Sequence, residues 1–231
     1  MALPESSTPS APAATGPGNT RERLVQAGLE VFGRHGFDGA NTRQIARHAG
    51  VNLAAIPYHF GGKAGLYRAV AEHIADRMSA VLDPALERIQ AGLDDPALSR
   101  DEVIARLRTL VSAFAGAALG AGADDWAPFV MREQIDPGEG FDVIYRRILV
   151  RVHGAYARLV GRLLDKPADD PEILLRAFTA VGQVLVFRVA RAGVLRRMGW
   201  RGYSPDQVRD IQRIVADQVE ASFSPPGGLA P

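Results

Sequence analysis

The stretch from Thr42 to Lys63, TRQIARHAGVNLAAIPYHFGGK, constrains this chain more than any other. It divides into two short helices around a tight turn at Gly50, with a third helix opening at Lys63. Ile45, Ala46 and Ala49 put small and apolar groups on one helical face, and Val51 follows the turn as a buried hinge. Asn41 and Gln44 have the spacing of a capping box, in which the Asn41 side chain accepts from the Gln44 amide and Gln44 reaches back. Asn52 can cap the second helix, expected from about Leu53 to Phe60. This is the layout of a helix-turn-helix, whose second helix enters the major groove of DNA.

The side chains in this stretch suit that task. Ala54 and Ala55 let the backbone approach a groove closely and offer only methyl contacts to thymine. Tyr58 and His59 bring a hydroxyl and an imidazole that reach phosphates or base edges. Gly61-Gly62-Lys63 places bare amides and an ammonium at a helix start, a ready anion site. Base discrimination then falls to Arg43, Asn52, His59 and DNA shape. Pro57 would sit inside a helix that began at Leu53. Proline lacks an amide proton and clashes with the carbonyl four residues back. The helix is therefore expected to start late or bend there.

Upstream, Leu24, Val25, Ala27, Leu29, Val31 and Phe32 form the apolar face of a helix ended by Gly36, and Phe37 follows as an aromatic plug. The whole of residues 20–67, with Gly-Phe-x-Gly at 36–39 and Tyr-His-Phe-Gly-Gly-Lys at 58–63, resembles the N-terminal domain of TetR/AcrR-family transcriptional regulators. By that resemblance Thr42 bonds a phosphate, Arg43 a phosphate or guanine edge, and the Gly62 amide with Lys63 clamps a phosphate. The expected DNA-contacting set is thus Thr42, Arg43, Asn52, Ala54, Ala55, Tyr58, His59, Gly62 and Lys63. Many relatives carry a phosphate-contacting tyrosine where Pro57 stands here, so Tyr58 is expected to take over that contact.

Charge agrees with an interface at one end. The chain carries a net charge of +1, yet residues 20–73 hold seven basic groups against four acidic ones. A modestly basic head on a slightly acidic body fits a local nucleic-acid contact.

The remainder reads as helices with no alternating strand pattern, giving an all-α chain: a three-helix DNA-binding head and a larger helical body. The expected divisions are a flexible arm at 1–19, the head at 20–67, the body at 68–223 and a loose tail at 224–231. A helix from Lys63 is bent or broken at Pro84. Ser99 with Glu102 forms a second capping-box candidate. Further helices span about Trp126 to Gln134, Phe141 to Leu164, a segment starting at Pro171, and a last one starting at Ser204-Pro205.

The body has its own resemblance. Phe129-Val130-Met131-Arg132-Glu133-Gln134-x-x-Pro137, Gly182-Gln183-Val184-Leu185-x-Phe187-Arg188 and Gly199-Trp200 resemble the CecR-type (CerR-type) regulatory domain over roughly 84–223. That group is associated with efflux genes and sensitivity to toxic compounds. The resemblance implies a homodimer that binds a palindromic double-stranded DNA operator, most often as a repressor, and is released by a small-molecule inducer. Activation, or ligand binding without operator recognition, are the alternatives.

Phe114, Trp126, Phe129, Tyr145 and Phe178, with Arg132 as polar anchor, are the candidate ligand pocket. Arg132 beside Glu133 can equally form a structural ion pair. Gly182 costs about 1 kcal/mol in mid-helix relative to alanine, which a close helix–helix approach would explain. Phe178, Gly182, Leu185, Val208, Ile211 and Val215 on the last two long helices are therefore the candidate dimer face.

Several chemistries find no support. The chain has no cysteine, so disulfides, thiolate metal sites and cysteine nucleophiles are excluded. His35, His48, His59 and His73 fall on different elements without metal-ligand spacing. The glycines between 116 and 122 lack a preceding strand and a Lys-Ser/Thr ending, so they form no phosphate loop. No serine sits in a nucleophile elbow. No enzyme, cofactor or metal is expected. The first 19 residues lack the charged start and apolar block of a secretory signal, and no run is long and apolar enough to span a bilayer. A bacterial cytoplasmic protein without a membrane partner is the expectation.

Overall fold

The computed structural model describes residues 17–93 and 95–223. The expected arm and tail lie outside these residues, except that 17–19 already belong to the first helix. Among the described residues the chain is helical without strands. In order it forms α1 (Pro17–Gly39), α2 (Thr42–Ala49), α3 (Ala55–Phe60), α4 (Lys63–Gln90), α5 (Arg100–Leu119), α6 (Ala123–Ile135), α7 (Glu139–Ile144), a π-helical turn (Tyr145–Leu149), α8 (Val150–Leu164), α9 (Pro171–Val189), α10 (Arg191–Met198) and α11 (Pro205–Ala221).

Local signals set most boundaries. Ser99 and Glu102 form the expected capping box at α5, and Ser204 with Gln207 forms another at α11. Asp170 caps α9 ahead of Pro171. Three boundaries differ from the sequence reading. The helix from Lys63 is not broken at Pro84 but continues to Gln90. It buries Leu82, Ala85, Leu86 and Ile89 on either side of the proline, and this packing offsets the lost backbone bond. The helix expected from Phe141 to Leu164 is interrupted by the π turn. A short α10 follows α9 and had no separate signal.

Helix α5 is the axis of the body. It packs against α4, α8, α9 and α11, and buries Val103, Leu107, Leu110, Val111 and Phe114. Helix α11 lies along it. Its apolar stripe of Val208, Ile211 and Val215 is buried within the protomer, and polar bonds from Arg108 to Asp217 and from Gln212 Nε2 to the Ser112 carbonyl hold its register. These three residues are therefore not a dimer face. Burying each stabilises the protomer by about 1.5–3 kcal/mol, and the stripe has no surface left to offer.

Helix α4 runs from the head into the body, so the expected division at residue 67 falls inside a continuous helix. Helix α6 makes the second connection, packing along α1 of the head.

Candidate nucleic-acid interface and its link to the body

The helix-turn-helix is built from small local devices. Asn41 is extended, and its side chain accepts from the Arg43 amide at 2.8 Å. It does not accept from Gln44, so the expected capping box reduces to a one-way cap. Helix α2 buries Ile45, Ala46 and Ala49. It ends at Gly50 in the left-handed region (φ 61°, ψ 40°), which only glycine reaches without cost. The Gly50 carbonyl accepts from Arg23 Nη2 at 3.0 Å, tying the turn to α1.

Helix α3 starts later than Leu53. The Asn52 side chain accepts from the Ala54 amide at 2.9 Å, and residues 53 and 54 form a turn. Pro57 is then the third residue of α3, where its amide would have had no intrahelical acceptor. The sequence therefore shortens the recognition helix instead of straining it. Ile56 anchors it to the core, while Tyr58 is 84% exposed. The Tyr58 ring meets His59 edge-on at 4.9 Å. Arg43, Asn52 and Ala54 are exposed; Thr42, Ala55, His59, Gly62 and Lys63 are half-buried. All nine predicted positions thus lie on or beside the two helices and the start of α4. Gly65 lets α3 and α4 meet: a Cβ there would overlap the Phe60 carbonyl oxygen.

Lys63 is less free than its sequence context suggests. Its ammonium lies 4.7 Å from the centre of the Phe37 ring and donates to the Asp38 carbonyl at 3.3 Å. It bridges α4 to the end of α1 while keeping donors for an anion.

Behind the recognition helices lies an aromatic knot. Phe32, Phe37 and Phe129 surround the Tyr67 ring at centroid distances of 4.8, 5.1 and 4.9 Å. The Tyr67 hydroxyl donates to buried Glu133 on α6, whose other oxygen accepts from the Gly138 and Phe141 amides. Burial and the Glu133 carboxylate hold the phenol well above its usual range, so it stays protonated and donates. Arg132 Nη2 donates to the Arg34 carbonyl at 3.1 Å. The alternative of an Arg132–Glu133 ion pair is replaced by two bonds that both fasten α6 to the head.

The aromatic residues expected to form one pocket separate into three places. Phe114, Trp126 and Phe178 line a mostly apolar cavity of about 130 Å³ with Met78, His153 and Arg188. Phe129 belongs to the Tyr67 knot. Arg132 lines a polar cleft of about 350 Å³ between head and body. Tyr145 stacks on Phe141 at 5.5 Å and is half-exposed. These three are corrected as cavity residues: helical spacing showed that each faced the interior or a groove, not which one. Sequence reasoning missed His153 and took Arg188 only as part of the CecR-type resemblance, without a role of its own. Its signal was position, since Arg188 falls four and seven residues after Val184 and Val181, on the buried stripe.

Arg188 is nearly buried. Its Nε donates to the Ala118 carbonyl at 2.6 Å and its Nη1 pairs with Asp124. Asp124 also binds Arg191 at 2.7 Å. The Arg188 Nη2 and the His153 Nε2 are buried without hydrogen-bond partners. Burial lowers the His153 pKa, so its imidazole is neutral near pH 7.

Helix α9 presents an apolar outer face of Leu174, Leu175, Phe178, Val186 and Val189, the last 76% exposed. Leu185 is half-buried beside it. A Cβ on Gly182 would meet no atom within 4 Å, which removes an intramolecular packing notch as the reason for this glycine.

Comparison with known proteins accounts for both halves of this arrangement. Residues 24–70 match the bacterial regulatory proteins of the tetR family, and residues 103–224 match the C-terminal domain of the HTH-type transcriptional dual regulator CecR. The CecR dual regulator of Shigella flexneri is 28% identical over 207 residues, covering 87% of this chain and 89% of that protein. The transcriptional repressor AcnR of Corynebacterium glutamicum is 33% identical over 82 residues, 35% of this chain and 44% of AcnR. In fold, the chain is similar to the TetR-family regulator PfmR of Thermus thermophilus (TM-score 0.59, 14% identity, 86% of this chain and 97% of that one). It is also similar to HlyIIR, a hemolysin II transcriptional regulator (TM-score 0.55, 19% identity, 87% and 99%). TetR-family regulators bind DNA and act as dimers, and they are not enzymes. The chain belongs to this family: it is a DNA-binding transcriptional regulator with a TetR-type helix-turn-helix and a CecR-type C-terminal domain.

Proposed function

We propose that this chain acts as a cytoplasmic homodimer that represses transcription from a palindromic operator and leaves it when a small molecule enters the body. One observation carries the reading. Helix α6 borders the cavity through Trp126 and fastens the head through Arg132 and Glu133. A ligand that shifts α6 moves both attachments of the recognition helices at once. The apolar outer face of α9 supports self-association, with Leu175, Phe178, Gly182 and Val186 in place of the buried α11 stripe. The same twofold axis would place two α3 helices on successive major grooves. Efflux or stress genes are the target class that the resemblance implies.

In the DNA complex Thr42 and Tyr58 meet phosphates, Arg43 reaches a phosphate or guanine edge, and the Gly62 amide with Lys63 closes on a phosphate. Ala54 and Ala55 supply methyl contacts, while Asn52 and His59 border the bases. Footprinting on the DNA flanking the gene tests the reading: two protected half-sites a whole number of helical turns apart are expected. A single unpaired site, or no protection, sinks it. Within it, Arg43→Ala is expected to relax preference at one base pair by about 1–3 kcal/mol. Equal loss on operator and random DNA would make Arg43 a phosphate contact only. Lys63→Ala is expected to shallow the salt dependence by about one unit per subunit contact.

A further inference from the structure

The cavity between α5, α6, α8 and α9 contains an unmet demand. Phe114, Trp126, Val181 and Leu185 make its walls apolar, and three polar side chains break that surface: Gln134, which is exposed, and Arg188 and His153, which carry buried unpaired nitrogens. Arg188 is 7% exposed, and its Nη2 has no hydrogen-bond partner; neither does His153 Nε2. A buried donor left unpaired costs about 1–3 kcal/mol, so a native structure that carries two in one cavity calls for an explanation.

Charge narrows what would satisfy them. Asp124 is shared between Arg188 and Arg191, leaving two guanidinium groups against one carboxylate. No acidic residue lines the cavity among the described residues. The local excess is one positive charge, with the Tyr203 ring within cation–π distance of both arginines. The His153 ring lies 4.4 Å from Phe178, so its nitrogen sits at the edge of an aromatic wall. Size narrows it further. A cavity of about 150 Å³ lined by apolar side chains holds one benzene; at about 130 Å³ this one takes no more than a single ring.

We infer that the cavity takes a monocyclic aromatic carboxylate, its ring among Phe114, Trp126 and Phe178 and its carboxylate on Arg188 Nη2 and His153 Nε2. The inference rests on the ligand-release reading above for its regulatory meaning, but not for binding itself. The carboxylate accepts one hydrogen bond from the guanidinium and one from the neutral imidazole, in the tautomer that protonates Nε2. It thereby supplies the missing negative charge beside Asp124.

The chain has two tryptophans, so Trp200→Phe leaves Trp126 as the sole indole reporter on the cavity wall. In that background, titration with sodium benzoate is expected to change the emission saturably. Benzoate should bind at least about tenfold more tightly than benzyl alcohol or toluene, the margin of one hydrogen bond to a charged group. Arg188→Met should abolish the preference while the neutral probes still bind. Equal or tighter binding of the neutral probes, or no saturable benzoate response, overturns the inference. If Arg188→Met fails to fold, the benzoate-to-neutral ratio in the Trp200→Phe protein decides alone. A parallel operator gel shift separates the two readings. Benzoate bound without DNA release leaves the ligand class standing and sinks release. DNA released by other compounds, with no benzoate bound, sinks the ligand class only.

Discussion

Glu133 and Arg188 are the two buried charged side chains among the described residues, and they are built in opposite ways. Both are tied to α6: Glu133 lies near its end, and Asp124, the partner of Arg188, near its start. Glu133 has every near neighbour it needs: the Tyr67 hydroxyl and two backbone amides converge on its two oxygens. Arg188 lines an apolar cavity and has a buried nitrogen without a partner. A saturated cluster resists rearrangement, because any movement breaks a bond with no replacement. An unsaturated one gains by rearrangement, because any suitable acceptor improves it. One helix thus carries a fixed joint at the DNA-binding head and a receptive group in the body.

The sharpest way to break this contrast is Glu133→Ala. It strands a buried hydroxyl and two amides, and is expected to destabilise the protein by about 3 kcal/mol and to weaken operator binding. A loss under about 1 kcal/mol in urea unfolding would mean the joint is not saturated in solution. Tyr67→Phe removes a single donor and leaves the ring knot in place. Its expected cost is about 1.5 kcal/mol, read from the same unfolding curves. Arg188→Met strands the Ala118 carbonyl but leaves Asp124 its Arg191 partner, so a cost of about 1 kcal/mol is expected. If it matched Glu133→Ala, the two clusters would be energetically alike.

The smallest effect concerns pH. Burial lowers the His153 pKa below its ordinary 6.5 in the folded protein. The unfolded chain therefore binds the proton first as pH falls. Stability from this group is full above about pH 6.5 and is lost below it. His73, also lowered by burial, acts in the same direction. The urea midpoint is expected to fall between pH 7 and 5.5, and to fall less in His153→Gln. An identical slope in both proteins would show that His153 is already solvated.

The contrast also explains what the sequence could disclose. The head was legible because its geometry is written in short range. Asn41, Gly50 and Pro57 each act on neighbours within a few residues, so residue type and spacing were enough. Even there the reading of Asn41 missed by one residue, since an N-cap oxygen accepts from either the second or the third helical amide, and here it takes Arg43. The body was legible only as helices. An apolar stripe such as Val208, Ile211 and Val215 says that a face is covered, not whether α5 or a second copy covers it. Phe114, Phe129 and Tyr145 have the same chemistry and reach three different surroundings, because tertiary packing decides which helix faces meet. Arg188 and Glu133 were the exceptions that sequence could have flagged, as charges at positions where periodicity demands apolar groups.

The π-helical turn from Tyr145 to Leu149 bears on how this chain tolerates changes of length. A π turn holds one residue more than the α turn it replaces. Val143 and Ile144 face inward before it, and Val152, Tyr156 and Leu159 after it. Deleting one residue within the turn closes the backbone ladder to an ordinary α-helix and leaves both flanks in phase. The same deletion in α9 rotates everything beyond it by about 100° and carries Arg188 out of the cavity. Single-residue gaps between relatives of this chain are therefore expected to gather at 145–149, a spare residue already held in the helix, and to be absent between Val181 and Arg188.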